Sequence, residues 1–175
     1  MEIPLRKRRI IGVIGASEAA GEILEMAREV GRLVAEREAI LICGGLGGVM
    51  QAASEGAKKA GGVTIGILPF YEKKPANEYI DIVITTGMGH SRNAIIASTA
   101  DACIAVGGSY GTLSEIALAR KLGKPVMTLN SFEIRLGGKV RGDILSADNP
   151  RQAVARLWNV LESSNVQTSS NIDPE

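Results

Sequence analysis

The sequence predicts a single α/β domain built on a Rossmann-like, doubly wound parallel sheet. Continuous apolar runs rich in Ile, Val and Ala alternate along the chain with segments of helical periodicity. Glycine-rich stretches follow several of these runs, where strands would lead into helices. Strands that are apolar on both faces belong in a parallel sheet covered by helices on both sides. The length of 175 residues suits one such domain.

The first half of the chain predicts three strands and two helices. The strands are continuously apolar and β-branched, at residues 9–15, 39–43 and 63–68. Helical periodicity predicts a helix over residues 20–37 and another from residue 49 to about residue 60. Gly61 and Gly62 end the second helix, because glycine readily adopts the left-handed backbone found at helix C-termini. The polar stretch 70–79 is expected to be a surface loop.

The second half continues the same alternation. Its strands are predicted at residues 81–86, 102–106 and 126–129, and its helices at residues 90–99, 112–122 and 150–161. The sequence Gly123-Lys124-Pro125 predicts the turn before the last strand. We therefore expect one Rossmann-like, phosphate-binding domain over residues 1–162, followed by a disordered polar tail over residues 163–175.

Composition limits the classes of partner. Twenty basic and 19 acidic residues give a net charge of +1, so no global charge recruits the protein to nucleic acid or to an anionic membrane. The basic run 6–9 lacks accompanying aromatic residues and is interpreted as a solvated arm. No segment is long and apolar enough to be a leader or a membrane span, so a cytoplasmic location is expected. Cys43 and Cys103 are expected to be buried, and with one histidine they do not form a metal site.

The first glycine-rich segment with a candidate phosphate-binding role follows the second strand. Its candidate phosphate-binding residues are Gly44, Gly45, Gly47, Gly48 and Met50. Glycines at a helix N-terminus let backbone N–H groups approach an anion, and the helix dipole adds positive potential. The same glycines could serve only to pack the helix closely against the strand. The sequence alone leaves both interpretations open.

A second glycine-rich segment follows the fifth strand and adds hydroxyl groups. Its candidate phosphate-binding residues are Gly107, Gly108, Ser109, Tyr110, Gly111 and Thr112. Because strand carboxyl ends share one sheet edge, the two segments are expected to lie together. Glu115 is a candidate catalytic residue, but the spacing Thr112-Leu113-Ser114-Glu115 also matches a capping box, in which Glu115 would only cap the helix.

Arg92 is the second candidate catalytic residue. It follows the fourth strand in the segment 87–93 and is predicted in the first turn of a helix. A cation there opposes the helix dipole unless an anion lies nearby. A bound anion and an exposed ion pair are both consistent with this position. His90, beside it, is expected to face solvent or cap the helix rather than act as a base.

These segments resemble the lonely-guy family, also labelled "possible lysine decarboxylase", and its branch of molybdenum-cofactor-carrier-like proteins. Arg92 and Gly111-Thr112-Leu113-Ser114-Glu115 match the family motif. Asn93, Gly107 and Ser109 stand where the hydrolase motif has Lys, Pro and Gly, which is more like the carrier branch. The resemblance implies the Rossmann-like fold and a homodimer or higher homo-oligomer, whose interface could include the residues Ile95, Ile96, Ile116 and Leu118. It gives no support to decarboxylation, because no lysine lies in a pyridoxal-phosphate motif.

Two functions follow from the residues and the resemblance. The favoured hypothesis is a binding or carrier protein for a nucleotide-like small molecule, either a nucleoside monophosphate or the molybdenum cofactor as cargo, with Mg²⁺ accompanying a phosphate. The alternative is a phosphoribohydrolase that releases a free base and ribose 5-phosphate, with Arg92 and Glu115 as its catalytic residues. A complete Rossmann dinucleotide site is disfavoured, because residues 12–17 lack the full glycine spacing.

Overall fold

Seven short strands form one parallel sheet in the computed structural model, which describes residues 4–169. The strands of this part of the chain are β1 (Ile10–Gly15), β2 (Ile40–Cys43), β3 (Val63–Leu68), β4 (Ile82–Thr85), β5 (Ala102–Val106), β6 (Val126–Leu129), β7 (Arg135–Leu136), β8 (Lys139–Val140) and β9 (Leu145–Ala147). The sheet order is β4-β3-β2-β1-β5-β6-β9, and every neighbouring pair is parallel. β7 and β8 form a separate antiparallel hairpin.

Helices cover both faces of this sheet. They are α1 (Glu22–Glu36), α2 (Val49–Lys59), α3 (Asn93–Thr99), α4 (Tyr110–Lys121) and α5 (Pro150–Ser169), with short 3-10 turns at Leu5–Lys7 and Gly89–Arg92. α1, α2 and α5 pack on one face around Val13, Leu41 and Leu157. α3 and α4 pack on the other face around Ile14, Ile96 and Ile116. The alternation of Val13 and Ile14 between the two cores explains why the strands are continuously apolar.

The order of the strands fixes where a ligand site forms. The chain runs from β1 through β2 and β3 to β4 at one side, then returns to place β5 on the other side of β1. In open parallel sheets, a crevice forms at the carboxyl ends of the strands where the order reverses in this way. Here that switch point lies between β1 and β5, so the loops that follow these two strands border it.

One edge of the sheet is less covered than its centre. β4 is the terminal strand, and it follows β3 through a segment with no helix. Ile82 and Ile84 point to the same face and are 48% and 43% exposed, although Ile67, which pairs with Ile84, is buried. Lys58 and Asp81 form an ion pair 2.7 Å long at the start of this strand.

The predicted fold class is confirmed, with several differences in detail. Strands β1 to β6 lie where apolar runs predict them, but β9 and the β7–β8 hairpin were not predicted. α4 starts at Tyr110, two residues earlier than predicted, and α5 continues to Ser169, past the predicted end near residue 161. The predicted disordered tail therefore overlaps helical residues 163–169, and its remainder, 170–175, lies outside the described residues.

Two of the candidate interface residues belong to the core. Ile96 and Ile116 have no exposed surface within the chain, because they fill the space between α3, α4 and the sheet. Ile95 and Leu118 are only partly buried against the same core. The first pair is therefore unavailable to another subunit, whereas the second pair lies at the outer margin of this layer.

Candidate functional site

A cavity of about 180 Å³ opens at the switch point of the sheet. It is bordered by the ends of β1 and β2, the 3-10 turn before α3 and the start of α4. Its lining residues are Val13, Ile14, Gly15, Ser17, Gly44, Leu46, Met50, Pro69, His90, Arg92, Asn93, Ser109, Gly111, Thr112 and Glu115. Loops far apart in sequence thus meet at the place where a doubly wound sheet binds ligands.

Arg92 is the buried cation of this cavity. Only 8% of the residue is exposed, although it lies at the end of a 3-10 turn and just before α3. A Cβ atom on Gly44 would overlap the Arg92 guanidinium and would lie 2.5 Å from the sulfur of Met50. The missing side chain of Gly44 therefore creates the space that Arg92 occupies. Burial lowers the pKa of Arg92, and the neighbouring carboxylate of Glu115 opposes this effect.

The Arg92 guanidinium has unused hydrogen-bonding capacity. Its Nη1 donates to Glu115 Oε1 over 3.3 Å, and this is a buried ion pair. Its Nε is buried and has no hydrogen-bond partner among the described residues. An arginine carries five N–H donors, and a buried donor without a partner costs about 1–3 kcal/mol. An acceptor that enters the cavity would relieve this cost.

Glu115 lies in the second turn of α4 and is 7% exposed. Burial raises the pKa of Glu115 to about 7, although Arg92 acts in the opposite direction. The carboxyl group is thus poised to change its charge near neutral pH, which is common in groups that hold or move protons. Its surroundings, rather than its place in the helix, give it this property.

The capping interpretation of Glu115 is wrong. α4 begins earlier than the sequence predicted, and Ser109 is its N-cap residue. Thr112 is the capping-box partner, because its Oγ1 accepts a hydrogen bond of 3.2 Å from the backbone N–H of Ser109. Glu115 is therefore too far along the helix to cap it, and its carboxylate pairs with Arg92 instead.

A side-chain hydrogen-bond chain joins the Arg92 segment to the start of α4. Asn93 is 5% exposed, and its Nδ2 donates to Ser114 Oγ over 3.2 Å. Ser114 Oγ in turn donates to the carbonyl oxygen of Gly111 over 2.7 Å. Asn93 thereby fixes the first turn of α4 relative to Arg92. The segment that contains Arg92 and the glycine-rich segment at the start of α4 are thus joined by hydrogen bonds.

Only part of the predicted phosphate-binding set lines the cavity. Gly44, Met50, Ser109, Gly111 and Thr112 do so, together with both candidate catalytic residues. The predicted residues that do not line it are Gly45, Gly47, Gly48, Gly107, Gly108 and Tyr110.

Packing accounts for some of these other positions. Gly48 has a φ of +60°, and a Cβ atom there would lie 2.5 Å from the carbonyl oxygen of Ser17. Gly45 packs against Leu68, and Tyr110 is 90% exposed. Gly45 and Gly48 thus make close packing contacts, with β3 and with the loop after β1, whereas Gly44 makes room for Arg92.

The contribution of the first strand to the cavity was not predicted from the sequence. Val13, Ile14, Gly15 and Ser17 line the cavity because β1 lies at the switch point. The signal was available, since the first strand of a doubly wound sheet borders the ligand crevice even without a complete glycine fingerprint. His90 is exposed as predicted, yet it also lines the cavity.

Within residues 4–169, no group of three or more His, Cys, Asp or Glu side chains is arranged to hold a metal ion. None of the helices in the same range is both long and apolar enough to cross a membrane. Cys43 and Cys103 are buried thiols, and burial raises the pKa of each, that of Cys103 to about 12.

The fold and the cavity define a single-domain Rossmann-like protein with a buried arginine–glutamate pair at its switch point. The family to which it belongs follows from comparison with known sequences. The chain belongs to the SLOG cluster4 family, whose family model matches residues 8–156. An uncharacterized protein of Archaeoglobus fulgidus is 54% identical over 119 residues, which are 68% of this chain and 78% of that relative.

Other relatives have names that state an activity. The cytokinin riboside 5′-monophosphate phosphoribohydrolase of Mycobacterium tuberculosis is 36% identical over 105 residues, which cover 58% of this chain and 56% of the relative. The chain spans about half the length of the phosphoribohydrolases that it matches. The resemblance to the lonely-guy family is therefore confirmed.

Solved structures agree with this assignment. The molybdenum cofactor binding protein of Rippkaea orientalis has a TM-score of 0.80 and 36% identity, covering 89% of this chain and 98% of that protein. The molybdenum cofactor carrier protein of Chlamydomonas reinhardtii has the same score and identity, with coverage of 89% and 99%. DNA processing protein A of Helicobacter pylori, at 18% identity and a TM-score of 0.66, shares the fold.

Proposed function

We propose that this protein binds a nucleotide-like phosphorylated ligand, a nucleoside monophosphate or the molybdenum cofactor, as a binding or carrier protein. The observation that carries the proposal is the buried Nε of Arg92, which has no partner among the described residues and belongs to a side chain that lines the switch-point cavity. A phosphate oxygen would accept a hydrogen bond from this guanidinium, whose present partner is the carboxylate of Glu115.

The start of α4 supplies the second half of a phosphate site. Ser109, Gly111 and Thr112 line the cavity at the N-terminus of this helix. Helix N-termini carry free backbone N–H groups and a partial positive charge, which together favour an anion. Arg92 and the helix N-terminus border the same cavity, so one phosphate could contact both.

Two observations favour binding over hydrolysis. Asn93 replaces the lysine of the hydrolase motif, and here it holds Ser114 rather than presenting a second cation. The solved structures of two molybdenum cofactor proteins, each 36% identical and covering 89% of this chain, support the binding proposal.

Calorimetric titration of AMP and of molybdenum cofactor into the pure protein tests the proposal. We expect one of them to bind, and binding should raise the Tm by roughly 5–10 °C at a ligand concentration about 100 times Kd. Arg92→Gln should abolish binding, because it removes the buried cation. Arg135→Ala is the matched control, since it removes an arginine that does not line the cavity and whose side chain is 59% exposed. The proposal is refuted if neither AMP nor the molybdenum cofactor binds to the protein.

One observation favours phosphoribohydrolase activity as a second candidate. Glu115 lines the same cavity, and its carboxyl group lies within the ion pair with Arg92. In the hydrolysis of AMP, water adds to ribose C1′, the N-glycosidic bond breaks, and adenine leaves with the electron pair and takes up a proton. An ionised Glu115 would stabilise the positive charge that develops on the ribose.

A chromatographic assay for free adenine separates the two candidates. The protein is incubated with AMP beside a Glu115→Ala variant, and the products are resolved at several times. Adenine release that disappears in the variant would make the protein a phosphoribohydrolase. Binding of AMP without adenine release would support the binding and carrier function, and the molybdenum cofactor would then be the next ligand to compare.

We also propose that the chain forms a homodimer or a higher homo-oligomer. Ile95 and Leu118 are only partly buried at the outer margin of the α3–α4 layer, where a second copy could cover them. Size-exclusion chromatography with light scattering should give at least twice the 18.4 kDa mass of the chain. A mass of one chain at all concentrations would refute this proposal.

A further inference from the structure

The charges that line the switch-point cavity balance each other before a ligand enters. Among the lining residues, Arg92 is a cation, Glu115 has a carboxyl group and His90 has an imidazole, and the others are uncharged. Asn93 lies where the hydrolase motif has a lysine, and its amide donates to Ser114 Oγ. The single guanidinium is therefore already neutralised by a carboxylate 3.3 Å away when Glu115 is ionised.

A bound phosphate upsets this balance. A phosphate monoester is mostly a dianion above pH 7, because its second pKa is about 6. Beside Arg92 and an ionised Glu115, it would leave two uncompensated negative charges in a cavity of about 180 Å³. Buried charges without a counter-charge are costly, and like charges that share a site raise the pKa of a carboxyl group. Protonation of Glu115 removes one of these charges.

Burial already prepares Glu115 for this change. The residue is 7% exposed, and its burial raises the pKa of the carboxyl group to about 7 although Arg92 opposes the effect. A second anion in the cavity acts in the same direction as burial. Once protonated, the carboxyl group can donate a hydrogen bond to a phosphate oxygen. The Nη1 of Arg92, which now donates to Glu115 Oε1, can then donate to the phosphate.

The other titratable groups near Glu115 respond differently. Burial raises the pKa of the thiols of Cys43 and Cys103, which interact electrostatically with Glu115, so both stay neutral near pH 7. Arg92 keeps its charge, because a guanidinium in a protein is not deprotonated at these pH values. An imidazole also takes up protons near neutral pH, so the exposed His90 is the competing proton acceptor that an experiment must separate.

We infer that the site binds a phosphate dianion together with one proton, which Glu115 takes from solvent and holds in the complex. This inference rests on the proposed function, because it takes the position of the phosphate from it. No covalent bond changes other than this protonation. Arg92 exchanges its carboxylate partner for a phosphate oxygen, and Glu115 becomes a neutral hydrogen-bond donor. Glu115 thus makes the affinity for a phosphate ester fall as the pH rises above 7.

Calorimetric titration of AMP at pH 8, in two buffers of different ionisation enthalpy, measures the protons taken up on binding. A carboxyl group with a pKa of about 7 is about nine-tenths ionised in the free protein at this pH. Binding should therefore take up about 0.9 proton per AMP. By the same linkage, the Kd of AMP should rise roughly eightfold between pH 7.5 and pH 8.5.

Two variants locate the proton. Glu115→Gln cannot ionise, so its proton uptake should fall to about zero and its Kd should stay constant between pH 7.5 and pH 8.5. It should also bind AMP more tightly than the unchanged protein at pH 8.5. His90→Gln is the matched control, because it removes the competing proton acceptor, and it should keep both the proton uptake and the pH dependence. A purely structural role of Glu115 would alter the affinity without altering the number of protons.

The outcomes separate this inference from the proposed function. Binding of AMP without proton uptake, or uptake that persists in Glu115→Gln, would overturn the inference and leave the phosphate site in place. Uptake that is lost in His90→Gln would assign the proton to His90 and also overturn it. If AMP is hydrolysed, ribose 5-phosphate replaces it, and if only the molybdenum cofactor binds, the same titrations are made with that ligand. If neither AMP nor the cofactor binds, the proposed function fails and the inference fails with it.

Discussion

Replacing Glu115 by glutamine is expected to make the stability of the protein less sensitive to pH. Burial raises the pKa of Glu115 from 4.5 to about 7 in the folded protein. The folded state therefore holds the proton more tightly than the unfolded state does, and stability falls as the pH rises from below 4.5 to above 7. Glutamine stays neutral and has nearly the same shape, so it removes this loss.

The size of the effect follows from the two pKa values. This difference corresponds to about 3 kcal/mol in total, most of which falls between pH 5 and pH 8. Arg92 faces an uncharged group both when Glu115 is protonated and when glutamine replaces it. The missing ion pair is therefore common to the two proteins at low pH and does not alter the pH-dependent difference in stability between them. For a chain of this size the change corresponds to roughly 5–10 °C in Tm.

Urea denaturation of the ligand-free protein at several pH values provides the assay. The free energy of unfolding of Glu115→Gln minus that of the unchanged protein should rise by roughly 2–3 kcal/mol from pH 5 to pH 8. Glu72→Gln, which replaces an exposed carboxyl group, controls for the general removal of a negative charge. A difference that is constant across this pH range would refute the argument that burial controls Glu115.

One further substitution and one labelling experiment test the packing around the site and the burial of the cysteines. Gly44→Ala should lower the Tm and weaken phosphate binding at least tenfold, because the new methyl group would occupy the position of the Arg92 guanidinium. Differential scanning calorimetry and AMP titration measure both effects, and a normal affinity would refute this role of Gly44. The two cysteines should react with a thiol reagent at pH 8 only after unfolding in urea, because both are buried. Rapid labelling of the folded protein would contradict their burial.

The sheet could be predicted because its strands follow a simple physical rule. Residues such as Ile11, Ile42 and Ile104 are buried on one or other face, and a run of such residues is visible in the sequence. β9 escaped this rule because it has three residues, Leu145–Ala147, and one of them is exposed. Its pairing with β6 is a tertiary contact that local composition does not specify.

The candidate site was predicted only in outline. Arg92, Glu115 and the start of α4 could be selected because charged and glycine-rich segments followed apolar strands. Their pairing depends on Gly44, whose missing side chain admits the guanidinium, and no local pattern separates this glycine from Gly45 or Gly48. The β1 residues line the cavity because of the strand order, which local sequence patterns do not specify.

The exposed isoleucines of β4 bear on how the protein behaves in concentrated solution. An apolar strand at the end of a sheet offers unpaired backbone groups and side chains to any other strand, and this favours aggregation. Ile82 and Ile84 form such an edge, and the ion pair between Lys58 and Asp81 places charges at only one end of it. The substitution Ile84→Lys would place a charge in the middle of this edge and oppose its pairing with strands of other molecules. The protein should then stay in solution at higher concentrations.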